Sequence, residues 1–360
     1  MRVLQLIDSL HAGGAERMAV NLANALSTPI ETSYLCVTRE EGLLKASMDS
    51  SVQYVYLNKK SALDVQAILK LYKYVKSKDI DIIHAHSSSF FLGSLVKLLF
   101  PKVKLIWHDH YGNSELLHQR PYRVLRFCSR FFIAVFCVNT KLIEWNMKHL
   151  RVNRVQFLSN FAVPTTKAHG ITQLKGTQGN RILCLANLRP QKDHLTLLKA
   201  FQKAHILHPD WTLHLVGKDF EDDYSDTINC LIKENQLEAC VFLYGSRSDT
   251  EHIISQSDIG VLSSVSEGLP LALIEYGFGR LAVVVTDVGD CKRVITDDTV
   301  GRLVPSNDAD SLSRAILEYI NHPELRISVS NQLLALVKEQ FSKDNILESL
   351  IFEYRQALSH

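Results

Sequence analysis

The chain has 360 residues, of which 46% are apolar, and this is enough for two domains that each bury a core of their own. The composition excludes a disordered, collagen-like or coiled-coil protein. The formal net charge is +2 but unevenly distributed: residues 1–160 carry 21 Lys and Arg against 12 Asp and Glu, and residues 161–360 carry 19 against 26. The two halves are therefore expected to face different partners, or each other.

Cysteine usage and hydropathy indicate a cytoplasmic protein. The seven cysteines are scattered without C-x-x-C spacing, which fits neither a disulfide framework nor a zinc ribbon. The first apolar run ends before Asp8, and the longest, Phe131 to Val138, is far below the ~20 residues of a transmembrane helix. We therefore expect neither a secretory leader nor a membrane span.

Short β-rich apolar runs alternate with segments of helical period along the whole chain. VLQLI precedes AERMAVNLANAL, DIIHAH precedes FFLGSLVKLLF, and after KLIWHDH and FFIAVFCVN the rhythm restarts with RILCLAN and HLTLLKAFQKAHIL. This alternation predicts parallel sheets with helices on both faces. The Pro-, Gly- and Thr-containing segment 162–180 predicts a seam between two Rossmann-like domains, 1–165 and 166–340, and residues 341–360 form an amphipathic helix that must pack on a completed domain. Two such domains would bind a ligand in a cleft at the carboxyl ends of their strands.

Two glutamates flank a Gly-Leu-Pro turn in SEGLPLALIEYG, residues 266–277. The turn follows the strand IGVLSS, so Glu267 is expected in a loop beside a helix that begins at Pro270, and Glu275 about one and a half turns inside that helix. Gly268 permits close approach of the backbone, and the N–H groups of a helix N-terminus attract a phosphate. The alternative is a dipole-stabilising glutamate and a solvent-exposed one, which leaves the glycine and the proline unexplained.

Two further strand-to-helix loops carry anion-binding features. In NLRPQKDH, Arg189 and Lys192 precede a helix capped by Asp193, where they could bind a diphosphate or lie in solvent as surface cations. In HAGGAER, Gly13 and Gly14 could admit a phosphate or a sugar, or could serve the turn alone. This loop lacks the G-x-G-x-x-G fingerprint, which argues against a dinucleotide site.

Histidines follow two strands. HAHSSS contains His84 and His86, and WHDHYG contains His108 and His110. The H-x-H spacing puts both rings on one face of a strand, which raises the possibility of zinc. Histidine is also a common reader of hydroxyl groups, and no residue that would orient a zinc ligand is readable from the sequence, so no metal is expected.

A basic segment, HQRPYRVLRFCSRFF, places arginines at spacings of 3, 3 and 4, which predicts one helical face. These residues are Arg120, Arg123, Arg126 and Arg130. With the aromatic residues beside them, they could rest on anionic lipid at the inner membrane face, or form a solvated basic face. Nucleic acid is not expected, because no binding module is present and the second half is acidic.

The E-x7-E pattern of SEGLPLALIE, together with RPQKD, VFLYGSRSD and GGAER, resembles the retaining GT-B glycosyltransferases of family 4 over nearly the whole chain. The resemblance implies two Rossmann-like domains facing across a cleft, with the C-terminal helix crossing back onto the first. It implies transfer of a sugar from a UDP- or GDP-sugar to a hydroxyl of a glycan or lipid-linked glycan, with retention and without a cofactor or metal, in bacterial capsule, O-antigen or exopolysaccharide synthesis. A nucleotide-sugar 2-epimerase on the same plan is the alternative. The chain departs from the family at Gly289-Asp290, where Gly-Gly is frequent, and at Arg280-Leu281, where Gly/Cys-x-Pro is common.

The resemblance also implies residue roles. Glu275 would bind the ribose hydroxyls, Glu267 would lie against the donor sugar, and two cations would hold the diphosphate in place of a metal ion. The catalytic set implied is His108, Arg189, Lys192 and Glu267, with His110 as an alternative to His108. The other donor-side residues are Gly13, Gly14, Tyr244, Gly245, Arg247, Gly268, Leu269, Pro270, Leu271 and Glu275, and the acceptor-side candidates are His86 and His110.

Overall fold

A computed structural model describes residues 1–163 and 170–359, which belong to two α/β units. The first unit comprises Met1–Phe161 and Lys343–His360, and the second Ala162–Ser342. The domain boundary predicted between residues 165 and 166 lies outside the described residues. In the part of the chain that is described, no helix combines the length and apolar character needed to cross a membrane.

The first unit is built on a seven-stranded parallel sheet with the strand order β3-β2-β1-β4-β5-β6-β7. The order reverses beside β1, and the carboxyl ends of β1 and β4 therefore border the crevice where doubly wound sheets bind ligands. The strands are β1 Arg2–Ser9, β2 Thr32–Glu40, β3 Gln53–Tyr56, β4 Ile82–His86, β5 Lys104–Asp109, β6 Phe132–Cys137 and β7 Val155–Phe157.

Helices cover both faces of this sheet. Two of them, α2 and α5, begin at a side-chain cap: Asp64 accepts a hydrogen bond from the Ala67 N–H at 3.1 Å, and Asn139 accepts one from the Leu142 N–H at 2.8 Å. With helices numbered along the whole chain, those of this unit are α1 Gly14–Leu26, α2 Val65–Ser77, α3 Phe90–Leu99, α4 Arg123–Cys128, α5 Thr140–His149 and α12 Lys343–Ser359.

Because successive side chains of a strand point to opposite faces of the sheet, the core of the first unit lies on both faces. Leu4 and Leu6 of β1 pack with residues of α2, α3 and α5 on one face, and Ile7 packs with residues of α1 on the other. The last helix, α12, contacts α1, and its Tyr354 is fully buried. An ion pair of 2.5 Å between Glu353 and Arg154 holds the same helix to the segment before β7. The C-terminal helix is thus an integral layer of the first unit.

The second unit contains a six-stranded parallel sheet with the order β10-β9-β8-β11-β12-β13. Its strands are β8 Arg181–Leu185, β9 Thr212–Val216, β10 Val241–Gly245, β11 Ile259–Leu262, β12 Ala282–Thr286 and β13 Arg302–Val304. Its helices are α6 His194–Leu207, α7 Asp223–Glu234, α8 Thr250–Ile254, α9 Leu271–Phe278, α10 Ala309–Asn321 and α11 Pro323–Gln340. Two doubly wound parallel sheets confirm the predicted fold class.

The basic helical face predicted from arginine spacing is shorter than expected. The helix α4 begins at Arg123, and Arg120 lies before it with an extended backbone (φ −70°, ψ 120°). Arg120 precedes Pro121, and the proline ring disfavours a helical conformation for the preceding residue. Arg123, Arg126 and Arg130 remain exposed, so the face has three arginines rather than four.

Arg120 belongs instead to the core. Its guanidinium donates to both carboxylate oxygens of Asp109 at 2.8 Å, and Asp109 is 1% exposed. The same guanidinium lies 4.3 Å from the ring centroid of Tyr111 and 4.4 Å from that of Trp145. A bidentate ion pair enclosed by aromatic rings satisfies a charge that burial would otherwise penalise.

Candidate active site

The loop after β8 ends in a short 3-10 turn, Pro190–Lys192, that leads into α6. Asp193 adopts a left-handed conformation (φ 48°), and its side chain accepts a hydrogen bond from the Thr196 N–H at 3.1 Å. This cap is the one predicted from the sequence. Lys192 therefore lies directly before a helix N-terminus, so its charge and the helix dipole attract an anion to the same place.

Glu267 occupies the loop after β11, the strand beside β8, and is 4% exposed. Its Oε1 accepts a hydrogen bond from Lys192 Nζ at 2.5 Å and another from Ser264 Oγ at 2.6 Å. The structure thus brings together two predicted catalytic residues that are 75 positions apart. The Glu267 carboxylate therefore orients the Lys192 ammonium group, in addition to any contact that Glu267 makes with a ligand.

Backbone contacts join the two loops into one surface. The Val265 N–H donates to the Gln191 carbonyl at 2.9 Å, and Gln191 Nε2 donates to the Ser266 carbonyl at 2.9 Å. Ser263 Oγ donates to the carbonyl oxygens of Lys192 and Asp193, both at 3.0 Å. Because these bonds cross between neighbouring strands, the position of Lys192 is fixed by the sheet.

The loop after β12 contacts the backbone of Glu267 and Gly268. Gly289 has a φ of +57°, and a Cβ atom there would lie 2.2 Å from the Glu267 carbonyl oxygen, so only glycine fits. Asp290 has an ordinary φ of −101°, its N–H donates to the Gly268 carbonyl at 2.9 Å, and its carboxylate pairs with Arg293 at 2.7 Å. The departure from Gly-Gly therefore falls on the position that does not need glycine.

The helix α9 begins at Leu271, one position later than predicted, and Pro270 is the residue before it. Leu269 and Leu271 are buried, so they can offer a ligand only backbone groups. Glu275, the fifth residue of α9, is half-buried. It and Glu267 therefore occupy a helix and a loop of one unit, as the sequence predicts.

Arg189 is exposed, and its guanidinium lies 4.6 Å from the ring centroid of Phe220. Lys218 Nζ lies 5.2 Å from the same ring. Because Lys218 follows β9, which neighbours β8, it is a third cation at this edge of the sheet. Sequence reasoning missed Lys218, although its position directly after the strand TLHLV and Gly217 was a usable signal.

The loop after β10 can offer a ligand mainly backbone groups. The Tyr244 hydroxyl accepts a hydrogen bond from the Lys175 N–H at 3.1 Å and lies 3.0 Å from His214 Nδ1, so it is engaged within the unit. Gly245 has a φ of +66°, and Arg247 Nη1 donates to the Ser246 carbonyl at 3.0 Å.

In the first unit, Gly13 and Gly14 form the start of α1. Gly13 is the N-cap residue with an extended backbone, and a Cβ atom there would lie 2.3 Å from Glu16 Oε2. A Cβ atom at Gly14 would meet nothing within 4 Å among the described residues. Gly14 thus leaves its backbone approachable at the edge of this sheet.

The four histidines lie together at the ends of β4 and β5. His84, His86 and His108 are fully buried, whereas His110 is partly exposed. Within the described chain, neither ring nitrogen of His108 has a hydrogen-bond partner. Of the two residues proposed as the active-site histidine, His110 is the one that a ligand could touch directly, and His86 also lies behind it.

His84, His86 and His108 form a compact cluster whose candidate ligand nitrogens all lie within 4.8 Å of one another, so the prediction that no metal binds stays a prediction. The planes of His84 and His86 are within 13° of parallel with centroids 4.7 Å apart, and those of His84 and His108 are within 22° at 5.2 Å. Burial lowers the pKa of His84 to about 3 and that of His110 to about 4, and it holds the pKa values of His86 and His108 well below the usual range. The cluster is therefore neutral at pH 7.

Comparison with known families identifies the class of protein to which these loops belong. Residues 12–162 match the family described as Glycosyltransferase Family 4, and residues 170–332 match Glycosyl transferases group 1. The chain belongs to the GT-B glycosyltransferases, which act on nucleotide sugars. Within that class it combines a family 4 domain in its first half with a group 1 domain in its second.

Three relatives match most of the chain. A glycosyltransferase of Haemophilus influenzae is 25% identical over 94% of this chain and 95% of its own length. An Escherichia coli relative, UDP-Gal:alpha-D-GlcNAc-diphosphoundecaprenol alpha-1,3-galactosyltransferase, is 24% identical over 82% of each chain. A Campylobacter jejuni alpha-1,4-N-acetyl-D-galactosaminyltransferase named for a diphosphoundecaprenol-linked glycan is 24% identical over 99% of this chain and 100% of its own.

Solved structures share the fold. Anabaena HepE, in complex with UDP and glucose, superposes with a TM-score of 0.82 at 16% identity over 99% of this chain and 100% of its own. Sucrose-phosphate synthase from Thermosynechococcus elongatus gives a TM-score of 0.79 at 16% identity and covers 100% of both chains. These similarities confirm the two-domain GT-B fold.

Proposed function

We propose that this glycosyltransferase moves a sugar from a nucleotide diphosphate sugar to a hydroxyl of a lipid-linked glycan, with retention of anomeric configuration and without a metal ion. The supporting observation is the ion pair between Lys192 Nζ and Glu267 Oε1, 2.5 Å long and directly before α6. An oriented cation and a helix N-terminus then act where the departing diphosphate gains negative charge.

In this reaction the bond between the anomeric carbon and the diphosphate oxygen breaks, and a bond from that carbon to the acceptor oxygen forms on the same face. The acceptor proton goes to the departing phosphate oxygen. Arg189 and Lys192 stabilise the charge of the leaving group, the role that a metal ion has in other enzymes. Lys218, beside the same ring as Arg189, adds to the positive potential at this edge.

Glu267 is assigned to positioning and sugar contact rather than to nucleophilic attack. Its Oε1 already accepts hydrogen bonds from Lys192 and Ser264, and an ion-paired carboxylate is a weaker nucleophile than a free one. The other glutamate of this motif, Glu275, lies within the following helix, α9, and is assigned to the ribose. Front-face attack assisted by the leaving phosphate therefore accounts better for these residues than a covalent intermediate.

An epimerase on the same plan would need no acceptor. Incubation of the chain with a UDP-sugar alone, followed by proton NMR, separates the two reactions. We expect the donor to remain largely intact until an acceptor is added. Conversion of the donor to a 2-epimer or to free epimerised sugar without an acceptor would favour the alternative.

The donor is proposed to be a UDP-sugar and the acceptor an undecaprenyl diphosphate-linked glycan of a bacterial surface polysaccharide, used at the cytoplasmic face of the membrane. Relatives named for such substrates and the UDP complex of HepE support this choice. A transfer assay with UDP-, GDP- and ADP-sugars and a short-chain polyprenyl diphosphate glycan tests it. No transfer from any UDP-sugar, with transfer from a GDP-sugar, would overturn the UDP assignment.

Replacement of Glu275 by alanine should weaken nucleotide binding by about 10- to 100-fold, because hydrogen bonds from ribose hydroxyls to a charged group are worth ~1.5–3 kcal/mol. The measurement is the rise in melting temperature with increasing UDP, since a ligand that binds only the folded state stabilises it according to its affinity. Glu234→Ala, at the exposed end of α7, is the matched control and should retain the full shift. An undiminished UDP shift in Glu275→Ala would remove Glu275 from the nucleotide site.

Membrane contact is proposed for the α3–α4 surface, formed by the end of α3, by α4 and by Arg130, two residues after α4. Four apolar side chains there are each 50–57% exposed: Leu98, Leu99, Val124 and Phe127. Arg123, Arg126 and Arg130 are exposed beside them, with the Arg130 guanidinium 5.1 Å from the Phe127 ring centroid. Apolar side chains bordered by cations fit the boundary of an anionic bilayer.

Exchange of both Val124 and Phe127 for glutamate should abolish flotation with vesicles that contain phosphatidylglycerol. Removal of any one of the three arginines should weaken binding by about 5-fold, since each basic residue near an anionic surface is worth ~1 kcal/mol. Ile206→Glu, which changes a 74% exposed residue of α6, is the control and should bind normally. Equal flotation of all variants, or none by the unmodified chain, would contradict membrane contact through this surface.

A further inference from the structure

A chain of hydrogen bonds runs through the core of the first unit to the partly exposed His110. Gln5 Nε2 donates to the Tyr354 hydroxyl at 3.3 Å, and Gln5 Oε1 lies 2.8 Å from His86 Nε2. His86 Nδ1 lies 3.0 Å from His110 Nε2. Gln5, His86 and Tyr354 are all fully buried, so water does not compete for these groups.

The chemistry of the amide sets the direction of this chain. An amide oxygen only accepts hydrogen bonds, so His86 Nε2 must carry the proton that is donated to Gln5. His86 is neutral because burial holds its pKa well below the usual range, and its Nδ1 is therefore a lone pair. That lone pair requires the proton of His110 to lie on Nε2. The same reasoning makes His110 Nδ1 the acceptor nitrogen of a neutral ring.

At the other end of the chain, the second group of the amide contacts a hydroxyl, which can accept or donate a hydrogen bond. The Gln5 NH₂ group donates to the Tyr354 hydroxyl, which in turn lies 2.5 Å from His84 Nδ1. If the amide were turned over, Gln5 would donate to His86, and every donor between Gln5 and His110 would reverse. His110 would then present an N–H group at Nδ1 in place of a lone pair.

We propose that Gln5 is a positioning residue that fixes the tautomer of His110, so that His110 Nδ1 accepts a hydrogen bond from a hydroxyl group of the carbohydrate substrate. His110 is partly exposed and bonds to His86 through Nε2, which leaves Nδ1 for such a contact. The substrate contact rests on the proposed function, but the tautomer does not. The two ring nitrogens of a histidine are chemically distinct, and the group bonded to one decides what the other can do.

The direct test is two-bond ¹⁵N–¹H NMR of histidine-labelled full chain at pH 7 without substrate. We expect His110, assigned by the signal lost in His110→Phe, to be the neutral Nε2–H tautomer. In Gln5→Leu it should become a mixture of both tautomers, and Tyr354→Phe should show a smaller shift in the same direction. The control is Gln156→Leu, which removes an amide of β7 that lies outside the chain of hydrogen bonds. An Nδ1–H tautomer in the unmodified chain, or an unchanged tautomer in Gln5→Leu and Tyr354→Phe, would overturn the proposal.

Kinetics test the substrate contact separately. Gln5→Leu should lower kcat/KM by about 2- to 10-fold, the worth of one neutral hydrogen bond, and should have no further effect when His110 is already phenylalanine. A purely structural role for Gln5 would lower activity equally in both backgrounds. The expected tautomer without any glycosyl transfer would count against the proposed function alone, whereas transfer with a reversed tautomer would count against the role of Gln5 alone.

Discussion

Replacement of Lys192 by alanine should reduce glycosyl transfer by about 10²–10³-fold, because a preorganised charge at the departing group is lost. The ammonium group is held at 2.5 Å from Glu267 Oε1 and needs no reorganisation when the diphosphate leaves. Its loss also removes the ion-pair partner of a carboxylate that is 4% exposed. The measurement is kcat/KM with the best UDP-sugar, with the melting temperature recorded to separate catalysis from folding.

Lys199→Ala is the matched control for this experiment. Lys199 is exposed on α6, the helix that begins just after Lys192, so its removal changes the net charge equally without touching the loop. It should retain nearly full activity. If Lys192→Ala kept activity within a few-fold of the unmodified chain, the diphosphate would have to bind elsewhere.

Exchange of Asp109 for asparagine should lower the free energy of unfolding of the first unit by about 3–5 kcal/mol, although the two side chains have nearly the same shape. The change leaves the Arg120 guanidinium as an uncompensated charge between the rings of Tyr111 and Trp145. Asn146 Nδ2, which donates to Asp109 Oδ2 at 2.8 Å, would also lose a charged acceptor. Urea denaturation followed by tryptophan fluorescence measures the effect.

The ion pair between Lys203 and Asp310 provides the comparison. Its side chains are 51% and 65% exposed, so Asp310→Asn should cost no more than ~1 kcal/mol. If the penalty at Asp109 comes from an unpaired buried charge, a second change, Arg120→Met, should restore part of the stability lost. A loss below ~1 kcal/mol in Asp109→Asn would show that Arg120 finds solvent, and would remove it from the core.

The fold and much of the donor-side loop site were predictable because their signals are local. Parallel strands that are buried on both faces are continuous apolar runs in the sequence. Asp193 is a predictable helix cap, because its bonding partner, the Thr196 N–H, lies only three residues further along the chain. The roles of Arg189, Lys192, Glu267 and Glu275 came from resemblance. The variants Lys192→Ala and Glu275→Ala test two of these roles.

Other features depend on contacts that no periodicity encodes. Arginine spacing predicted four residues on one helical face, but Pro121 delays the helix and Arg120 pairs with Asp109, eleven positions earlier. The H-x-H motif correctly predicts two rings on one face of β4. It carries no information about Tyr354, which lies 270 positions from His84 and closes the hydrogen-bond chain. Local sequence also gives no sign that His108 lies behind His110.

The place of α12 has a consequence for the order in which the protein can mature on the ribosome. Residues 343–359 are translated after the whole second unit, yet Tyr354 is buried against Gln5 of β1, which precedes that unit in the chain. While the second unit is being translated, Gln5 and the buried histidines of the first unit are not yet packed against α12. The nascent first unit therefore lacks one layer of its core until the whole second unit has been translated.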